Sequence, residues 1–160
     1  MALEICSLLE WDTEFFAYRI ARLNLSQLKP ENIALIDIWC EDNQIECLYF
    51  LADSDDALTT RLANTVIKLS YQDEALAFVS CTLDQERATG AISLIGVAEN
   101  MRGRGLGLAM VQIALNYFRQ EGMQFAEVVT QGPNIAAQRL YQKCGFRTKQ
   151  TSLWYHKWFN

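Results

Sequence analysis

A glycine- and arginine-rich hexapeptide, Arg102 to Gly107, follows the apolar run Ala91 to Val97 and leads into a helix-like run that extends to Arg119. Its alternating glycines permit backbone torsions and close approaches that a Cβ atom would prevent, so successive N–H groups can converge on one anion. The helix adds its N-terminal donors and the positive end of its dipole. The two arginines can add charge-assisted hydrogen bonds to phosphate oxygens. The segment therefore predicts a cradle for a ligand that carries a pyrophosphate.

Two other kinds of glycine-rich loop do not fit this spacing. A nucleoside triphosphate loop ends in Gly-Lys-Ser/Thr, whereas Gly105 is followed by Leu106 and Gly107. A dinucleotide loop follows G-x-G-x-x-G with an acidic residue about 20 residues later, whereas this segment reads G-x-G-x-G behind an arginine. An ordinary turn between a strand and a helix is the alternative for the hexapeptide taken alone.

A second motif extends from Asn134 to Phe146, after the strand-like apolar run Ala126 to Thr130. Pro133 and Asn134 suit the opening of a helix, because the asparagine side chain can accept from its free N–H groups. Gly145 suits the C-terminal end, where a left-handed residue is usual. Residues at three- and four-residue intervals predict one inner face of this helix: Ala137, Leu140, Tyr141 and Cys144.

The two motifs in this order, R-G-x-G-x-G and then N-x-x-A-x-x-L-Y-x-x-x-G-F, resemble the GNAT superfamily of acyl-CoA-dependent N-acyltransferases over about residues 75 to 160. The resemblance implies an α/β fold of mixed α+β type, with a largely antiparallel central sheet flanked by helices. It also implies that the first motif holds the pyrophosphate of acetyl-CoA and that Leu94 to Val97 pair through backbone groups with the pantetheine arm. Tyr141 would protonate the departing CoA thiolate.

The predicted site therefore comprises residues that bind the cofactor and two catalytic residues, Tyr141 and Glu99. A phenol with a pKa near ~10 stays protonated at neutral pH, so Tyr141 suits the acid; the alternative is a tyrosine that only packs in the core. Glu99 can order a water as the base, or be a solvated loop residue, while His156 fits a packed sheet residue better. The predicted cofactor-binding residues are Ile95, Val97, Arg102, Gly103, Arg104, Gly105, Leu106, Gly107 and Asn134.

Composition sets limits on the class of protein. The chain has 160 residues, 51% of them hydrophobic, which suits one domain with a core. Its net charge of −5 argues against broad nucleic-acid binding. There is no apolar run of about 18 residues and no basic region ahead of an apolar one near Met1, so we expect no membrane span and a cytoplasmic location.

Cysteine and histidine usage predicts neither disulfides nor a metal. The five cysteines form no C-x-x-C pair and are odd in number, which suggests small buried residues in a reducing compartment. His156 is the single histidine and has no carboxylate cluster beside it in the sequence. We therefore expect acetyl-CoA as co-substrate without a metal.

Hydrophobic periodicity predicts alternating elements along the chain. Two early strands are predicted, at Phe16 to Leu25 and at Glu46 to Ala52, the second of them short and buried. Two early helices are predicted, at Pro30 to Cys40 and at Ala57 to Leu69. An antiparallel pair of strands is predicted at Ala75 to Thr82 and Gly90 to Val97, followed by an amphipathic helix at Leu106 to Gln120. Two closing strands are predicted at Phe125 to Thr130 and Phe146 to Phe159. The inner face of the amphipathic helix is predicted to comprise Leu106, Met110, Ile113, Ala114 and Tyr117.

The first seventy residues depart from the usual GNAT order of one strand and two short helices. Trp11 to Phe16 and Leu153 to Phe159 instead resemble the TDP-fucosamine acetyltransferase group, which implies N-acetylation of a nucleotide-linked amino sugar. We accordingly predict an N-terminal α/β portion, residues 1–70, on the acceptor side and an acetyl-CoA-binding core, residues 71–160. Arg19 and Arg22 can meet a diphosphate or be solvated.

The aromatic residues within Trp11 to Phe16 and Leu153 to Phe159 permit two interpretations. They can stack a base or a sugar ring, or they can seal a small core or a homodimer interface. A protein N-terminal or small-amine acetyltransferase is the alternative enzyme. A CoA-binding module without turnover is the alternative of another class.

Overall fold

One mixed sheet organises the protein in the computed structural model, which describes residues 13–28, 40, 44–51 and 65–157. Its strands are β1 (Thr13–Asn24), β2 (Glu46–Leu51), β3 (Thr65–Tyr71), β4 (Glu74–Asp84), β5 (Thr89–Val97), β6 (Phe125–Gln131) and β7 (Arg147–Lys157). The described helices are α1 (Leu106–Gln120) and α2 (Ile135–Lys143), with 3-10 turns at Leu25–Gln27 and Glu99–Met101. The strand order is β2-β3-β4-β5-β6-β1-β7, and every pair except β5 with β6 is antiparallel. The predicted mixed, largely antiparallel fold is confirmed.

The first strand lies between the last two. β1 pairs with β6 from Tyr18 opposite Gln131 to Asn24 opposite Phe125, and with β7 along its other edge. Ala21 and Leu23 of β1 are buried in the same core as the helices. Segments from both predicted portions, residues 1–70 and 71–160, thus contribute to one sheet. The assignment of the first portion to the acceptor side stays a prediction.

Helix α1 supplies much of the core, and its predicted limits, Leu106 to Gln120, are confirmed. The predicted inner residues are buried except Tyr117, which is half-buried and whose hydroxyl lies 2.8 Å from Thr65 Oγ1. Phe118 is fully buried against β5, where a Cβ atom on Gly90 would lie 2.3 Å from its ring. Glycine is therefore required at that close approach of strand and helix.

The predicted helix Ala57 to Leu69 is wrong in its last part, because strand β3 begins at Thr65. Thr65, Ile67 and Leu69 are buried while the residues between them are less so, which gives a period of two over that stretch. The β-branched residues at its start also favour a strand. The preceding residues, 52–64, lie outside the described part of the chain, as does most of the predicted helix Pro30 to Cys40.

Strand β2 lies at an edge of the sheet and is not buried as predicted. Leu48 is 38% exposed and Tyr49 is 52% exposed. An edge strand has a neighbour on one side only, so a short apolar run there keeps part of its surface in water. The sequence predicted the strand but could not show that it ends the sheet.

Within the described residues, no helix is long and apolar enough to span a bilayer. The same residues contain no cluster of three or more His, Cys, Asp or Glu side chains suited to a metal. Cys40 and Cys81 are buried, and Cys47 and Cys144 are half-buried. The cytoplasmic location and the lack of a metal stay predictions.

Candidate active site

The parallel strands β5 and β6 separate part-way along the sheet. They pair only from Thr89 opposite Phe125 to Ile92 opposite Val128. On its other side β5 stays paired with β4 as far as Val97, with a register shift that leaves Ser93 between two paired positions. From Ser93 to Val97, the edge of β5 that faces β6 therefore has no strand partner in the described part of the chain. An extended ligand can hydrogen-bond to these backbone groups.

The glycine-rich loop opens α1 next to the end of β5. Gly103 has φ 77° and Gly105, the N-cap residue of α1, has φ 88°, a region that glycine adopts without steric cost. A Cβ atom on either residue would meet nothing within 4 Å, so the space above the loop is open. The first N–H groups of the helix have no intrahelical acceptor and can bind an anion in that space.

Three elements meet at Gly107. A Cβ atom there would lie 3.4 Å from Leu140 of α2 and 3.9 Å from Val97 of β5. The Nε of Arg102 also donates to the carbonyl of Val97 at 3.4 Å. The loop, the unpaired end of β5 and helix α2 therefore converge on one region of the protein. Arg102 and Arg104 are exposed there, and Leu106 is buried beneath the loop.

Tyr141 follows Leu140 on α2 and is 5% exposed. Its ring meets Phe146 edge-on, with 5.8 Å between centroids. Burial raises the pKa of the Tyr141 phenol above its ordinary value, and Cys144 adds to this shift. Among the described residues the hydroxyl has no hydrogen-bond partner. Because its pKa is raised, the phenol is protonated at neutral pH, as a proton donor to a thiolate must be.

Asn134 caps α2 as predicted, because its Oδ1 accepts from the N–H of Ala137 at 3.0 Å. That bond occupies the side-chain oxygen and leaves the amide nitrogen as the group that could meet CoA. Glu99 lies exposed in the 3-10 turn directly after β5, and its carbonyl accepts from the N–H of Arg102 at 3.3 Å. The roles of Asn134 toward CoA and of Glu99 as base stay predictions.

Gln138 is a buried polar residue that sequence reasoning missed. Its Nε2 donates to the carbonyls of Gln131 and Gly132 at 3.2 and 2.6 Å, and its Oε1 accepts from Arg19 Nη1 at 2.7 Å. These bonds tie α2 to the loop before it and to β1. The signal available in the sequence was its position, three residues before Tyr141 on the inner helix face.

Replacement of Gln138 with alanine should lower the free energy of unfolding by about 1–3 kcal/mol, because the loop carbonyls lose their buried donor. Chemical denaturation of the two proteins measures this. Gln142→Ala, an exposed position one turn further on the same helix, is the matched control and should change stability by less than about 0.5 kcal/mol. Equal effects of both changes would contradict the role given to Gln138.

Arg19 and Arg22 do not form one site. They lie three residues apart on a strand, so their side chains project to opposite faces of the sheet. Arg19 bonds to Gln138 on the helix side, whereas Arg22 forms an ion pair with Glu127, with 3.3 Å between Nε and Oε1. Arg19 and Arg22 therefore do not bind one diphosphate together, and contact of either residue with a diphosphate stays a prediction.

The aromatic segments of the two chain ends are neighbours in the sheet. The backbone register places Phe16 opposite Trp154 and Phe15 opposite Tyr155. Trp11 and Trp158, together with the side chains of these paired residues, lie outside the described part of the structure. Their stacking role, a homodimer interface and the packed role of His156 stay predictions.

A separated parallel strand pair, a glycine-rich loop at the end of one strand and a helix packed against that loop that bears a buried tyrosine fit the class of acyl-CoA-binding transferase domains. The model of the acetyltransferase (GNAT) family matches residues 7–146, and the chain belongs to that family. GNAT acetyltransferases use acetyl-CoA.

Individual relatives agree with this family. A mycothiol acetyltransferase from Beutenbergia cavernae is 39% identical over 61 residues, which cover 38% of this chain and only 20% of the relative. A glucosamine N-acetyltransferase region of a fungal multi-domain β-N-acetylglucosaminidase superposes with a TM-score of 0.65 at 17% identity, covering 97% of this chain and 22% of that one. A putative streptothricin acetyltransferase from Bacillus anthracis, solved with acetyl-CoA, gives 0.51 at 19% identity, covering 59% and 62%. The chain thus spans about a fifth of the curated relative it matches.

Proposed function

We propose that the protein transfers the acetyl group of acetyl-CoA to the primary amine of a small molecule. The observation that carries this proposal is the convergence at Gly107 of the anion loop, the unpaired end of β5 and the helix that bears Tyr141. The loop suits the pyrophosphate, and the strand edge suits the amides of the pantetheine arm. Together they position a thioester near a protonated phenol.

The chemistry requires three kinds of help. A neutral amine attacks the thioester carbonyl, an oxyanion forms, and the CoA thiolate leaves with a proton. Backbone N–H groups on the unpaired edge of β5 can stabilise the oxyanion. Tyr141 gives its proton to the sulfur as the carbon–sulfur bond breaks. Glu99 orders the water that accepts the proton from the amine.

The acceptor that we test first is a nucleotide-linked amino sugar. Two features support it: the resemblance of Trp11 to Phe16 and of Leu153 to Phe159 to enzymes with such substrates, and the likeness in fold to a glucosamine N-acetyltransferase region. The name of the curated relative, a mycothiol acetyltransferase, favours a second candidate, an acceptor related to mycothiol.

Acetyl-CoA turnover with a panel of amines tests the proposal. We expect product from a TDP-linked 4-amino sugar and none from a peptide with a free N-terminus. Product from the peptide alone would indicate the protein N-terminal alternative. Tight acetyl-CoA binding without turnover on any amine would indicate a binding module.

Replacement of Trp154 with alanine tests the aromatic contribution to the acceptor site. If the indole stacks on the acceptor, the KM of the acceptor should rise by the equivalent of about 1–3 kcal/mol while the KM of acetyl-CoA stays unchanged. Leu153→Ala is the control, since Leu153 is the adjacent strand residue and is 51% exposed. A drop in stability of about 3–5 kcal/mol with both KM values unchanged would instead show that Trp154 seals the core.

A further inference from the structure

A group of cations lies on the sheet face opposite α1 and α2. Glu127 of β6 has a side chain that is 14% exposed, and three basic groups share its carboxylate. Arg22 Nε and Lys149 Nζ lie 3.3 and 3.2 Å from Oε1. Arg87 Nη2 lies 3.4 Å from Oε2. The neighbouring Val128 is buried with the helices, so Glu127 projects away from them.

Arg147 adds an unneutralised charge to this group. It pairs in register with Arg22, which in turn pairs with Glu127, so the three side chains lie side by side on one face. Arg147 is exposed and forms no ion pair with any residue in the described ranges. The other acid nearby is Asp84, whose Oδ2 lies 3.8 Å from Arg87 Nη1. Within the described ranges, these four basic side chains are therefore accompanied by two paired carboxylates, although the whole chain carries a net charge of −5.

Arg22 is held in place before any ligand binds. Its guanidinium carbon lies 3.8 Å above the centre of the Phe125 ring, and its Nη2 donates to Thr89 Oγ1 at 3.4 Å. Its Nε is buried and lies at ion-pair distance from Glu127, but no hydrogen bond satisfies it. A pre-positioned guanidinium loses little freedom when it binds an anion.

The basic groups lie close to the opening between β5 and β6, which suggests that the anion they bind is part of the acceptor. Glu127 pairs with Ala91, one residue before the last parallel pair. Val129, the next residue of β6 on this face, is 57% exposed and lies about 7 Å further along the strand. Leu94, on the β5 side of the opening, is 60% exposed. The basic groups around Glu127 therefore lie next to the exposed apolar residues Val129 and Leu94. These two residues extend to the opening where the thioester is proposed to lie.

We propose that Arg22, Arg87, Arg147 and Lys149, which we call the basic cluster, bind the phosphate or diphosphate group of the acceptor. The body of the acceptor would cross Val129 and Leu94 and place its amine at the opening. Arginine side chains suit phosphate because their planar donors match its oxygens. The acceptor is then a phosphorylated primary amine. The identity of the anion as part of the acceptor rests on the proposed function, whereas the anion site itself does not.

Titration with inorganic pyrophosphate tests the anion site directly. Saturating CoA is added so that the glycine loop is occupied, and binding is followed by calorimetry and by the side-chain Nε–H resonance of Arg22. Arg147→Gln should weaken pyrophosphate binding by about tenfold, since one charge-assisted contact is lost. Glu127→Gln should strengthen it several-fold, because a repelling carboxylate is removed.

Arg119→Gln is the control for these changes, since it removes an exposed cation at the other end of α1. It should leave pyrophosphate binding unchanged. An equal loss in Arg119→Gln and Arg147→Gln would show a general charge effect and overturn the site. Unchanged binding in Arg147→Gln would also overturn it.

A kinetic comparison tests the link to the acceptor. Aminobutyl phosphate should be a better acceptor than butylamine, and Arg147→Gln should raise the KM of the phosphorylated amine about tenfold with kcat within about twofold. The KM of butylamine should not change. Equal effects on both amines would overturn the acceptor assignment. Failure of both amines to accept acetyl would overturn the link between the basic cluster and the acceptor, while the amine panel decides the proposed function and the pyrophosphate titration decides the anion site.

Discussion

Tyr141→Phe should lower the rate of acetyl transfer by about 10²- to 10⁴-fold, the usual contribution of a general acid. The change keeps the ring and its edge-on contact with Phe146, and it removes only the hydroxyl. Because burial raises the pKa of Tyr141, the phenol should stay protonated above the pH at which a solvent-exposed tyrosine ionises. The alkaline limb of kcat should therefore lie above pH ~10 in the wild type. Steady-state kinetics across pH measure both effects.

Tyr117→Phe is the control for loss of a tyrosine hydroxyl. That hydroxyl lies 2.8 Å from Thr65 Oγ1, on the part of α1 far from the glycine loop. Its removal should cost some stability and leave turnover within about twofold, because no step of the proposed chemistry uses it. Equal turnover in wild type and Tyr141→Phe would assign Tyr141 to packing alone.

Gly105→Val should abolish measurable acetyl-CoA binding. The residue has φ 88°, which a β-branched side chain adopts only with strain, and its missing Cβ faces open space above the loop. A valine side chain would fill the volume in which the pyrophosphate is proposed to lie and would block its approach to the N–H groups. Calorimetric titration with acetyl-CoA measures the loss.

Gly122→Val separates backbone strain from loss of the ligand space. Gly122 lies after the other end of α1 with φ 78°, and a Cβ atom there also meets nothing within 4 Å. The two substitutions should therefore destabilise the protein by similar amounts, as thermal melting would show. Acetyl-CoA affinity should be normal in Gly122→Val. Normal affinity in Gly105→Val would contradict the placement of the pyrophosphate.

Local chemistry made the second half of the chain predictable from sequence. Helix α1 has a strong period of 3.6, and Asn134 and Gly145 mark the two ends of α2 by their capping chemistry. The positive φ angles of Gly103 and Gly105 follow from the glycine spacing in the loop. These features depend on residues a few positions apart, so they can be recognised without the fold. The resemblance to the GNAT family rested on the same residues, and the match to the family model confirmed it.

The region before β4 was less predictable because its elements depend on distant partners. The residues from Thr65 to Leu69 were predicted to continue a helix, yet they form a strand because β2 and β4 lie on the two sides of this segment. Tyr49 of β2 is 52% exposed because β2 is an edge strand of the sheet formed by the described residues. Such outcomes are decided by neighbours in space, which a local pattern does not contain.

By itself, the sequence determined the glycine-rich loop, the caps of α2, the limits of α1 and the residue types available for acid chemistry. The tertiary structure alone decided that β1 inserts between β6 and β7, that Gln138 bonds to Arg19 across 119 positions of chain, and that Arg22 lies beside Glu127 and Arg147. Strand insertion is set by which edges remain unpaired once the other strands have formed. Long-range pairing of this kind reflects the burial and hydrogen bonding of the whole sheet, so no short segment encodes it.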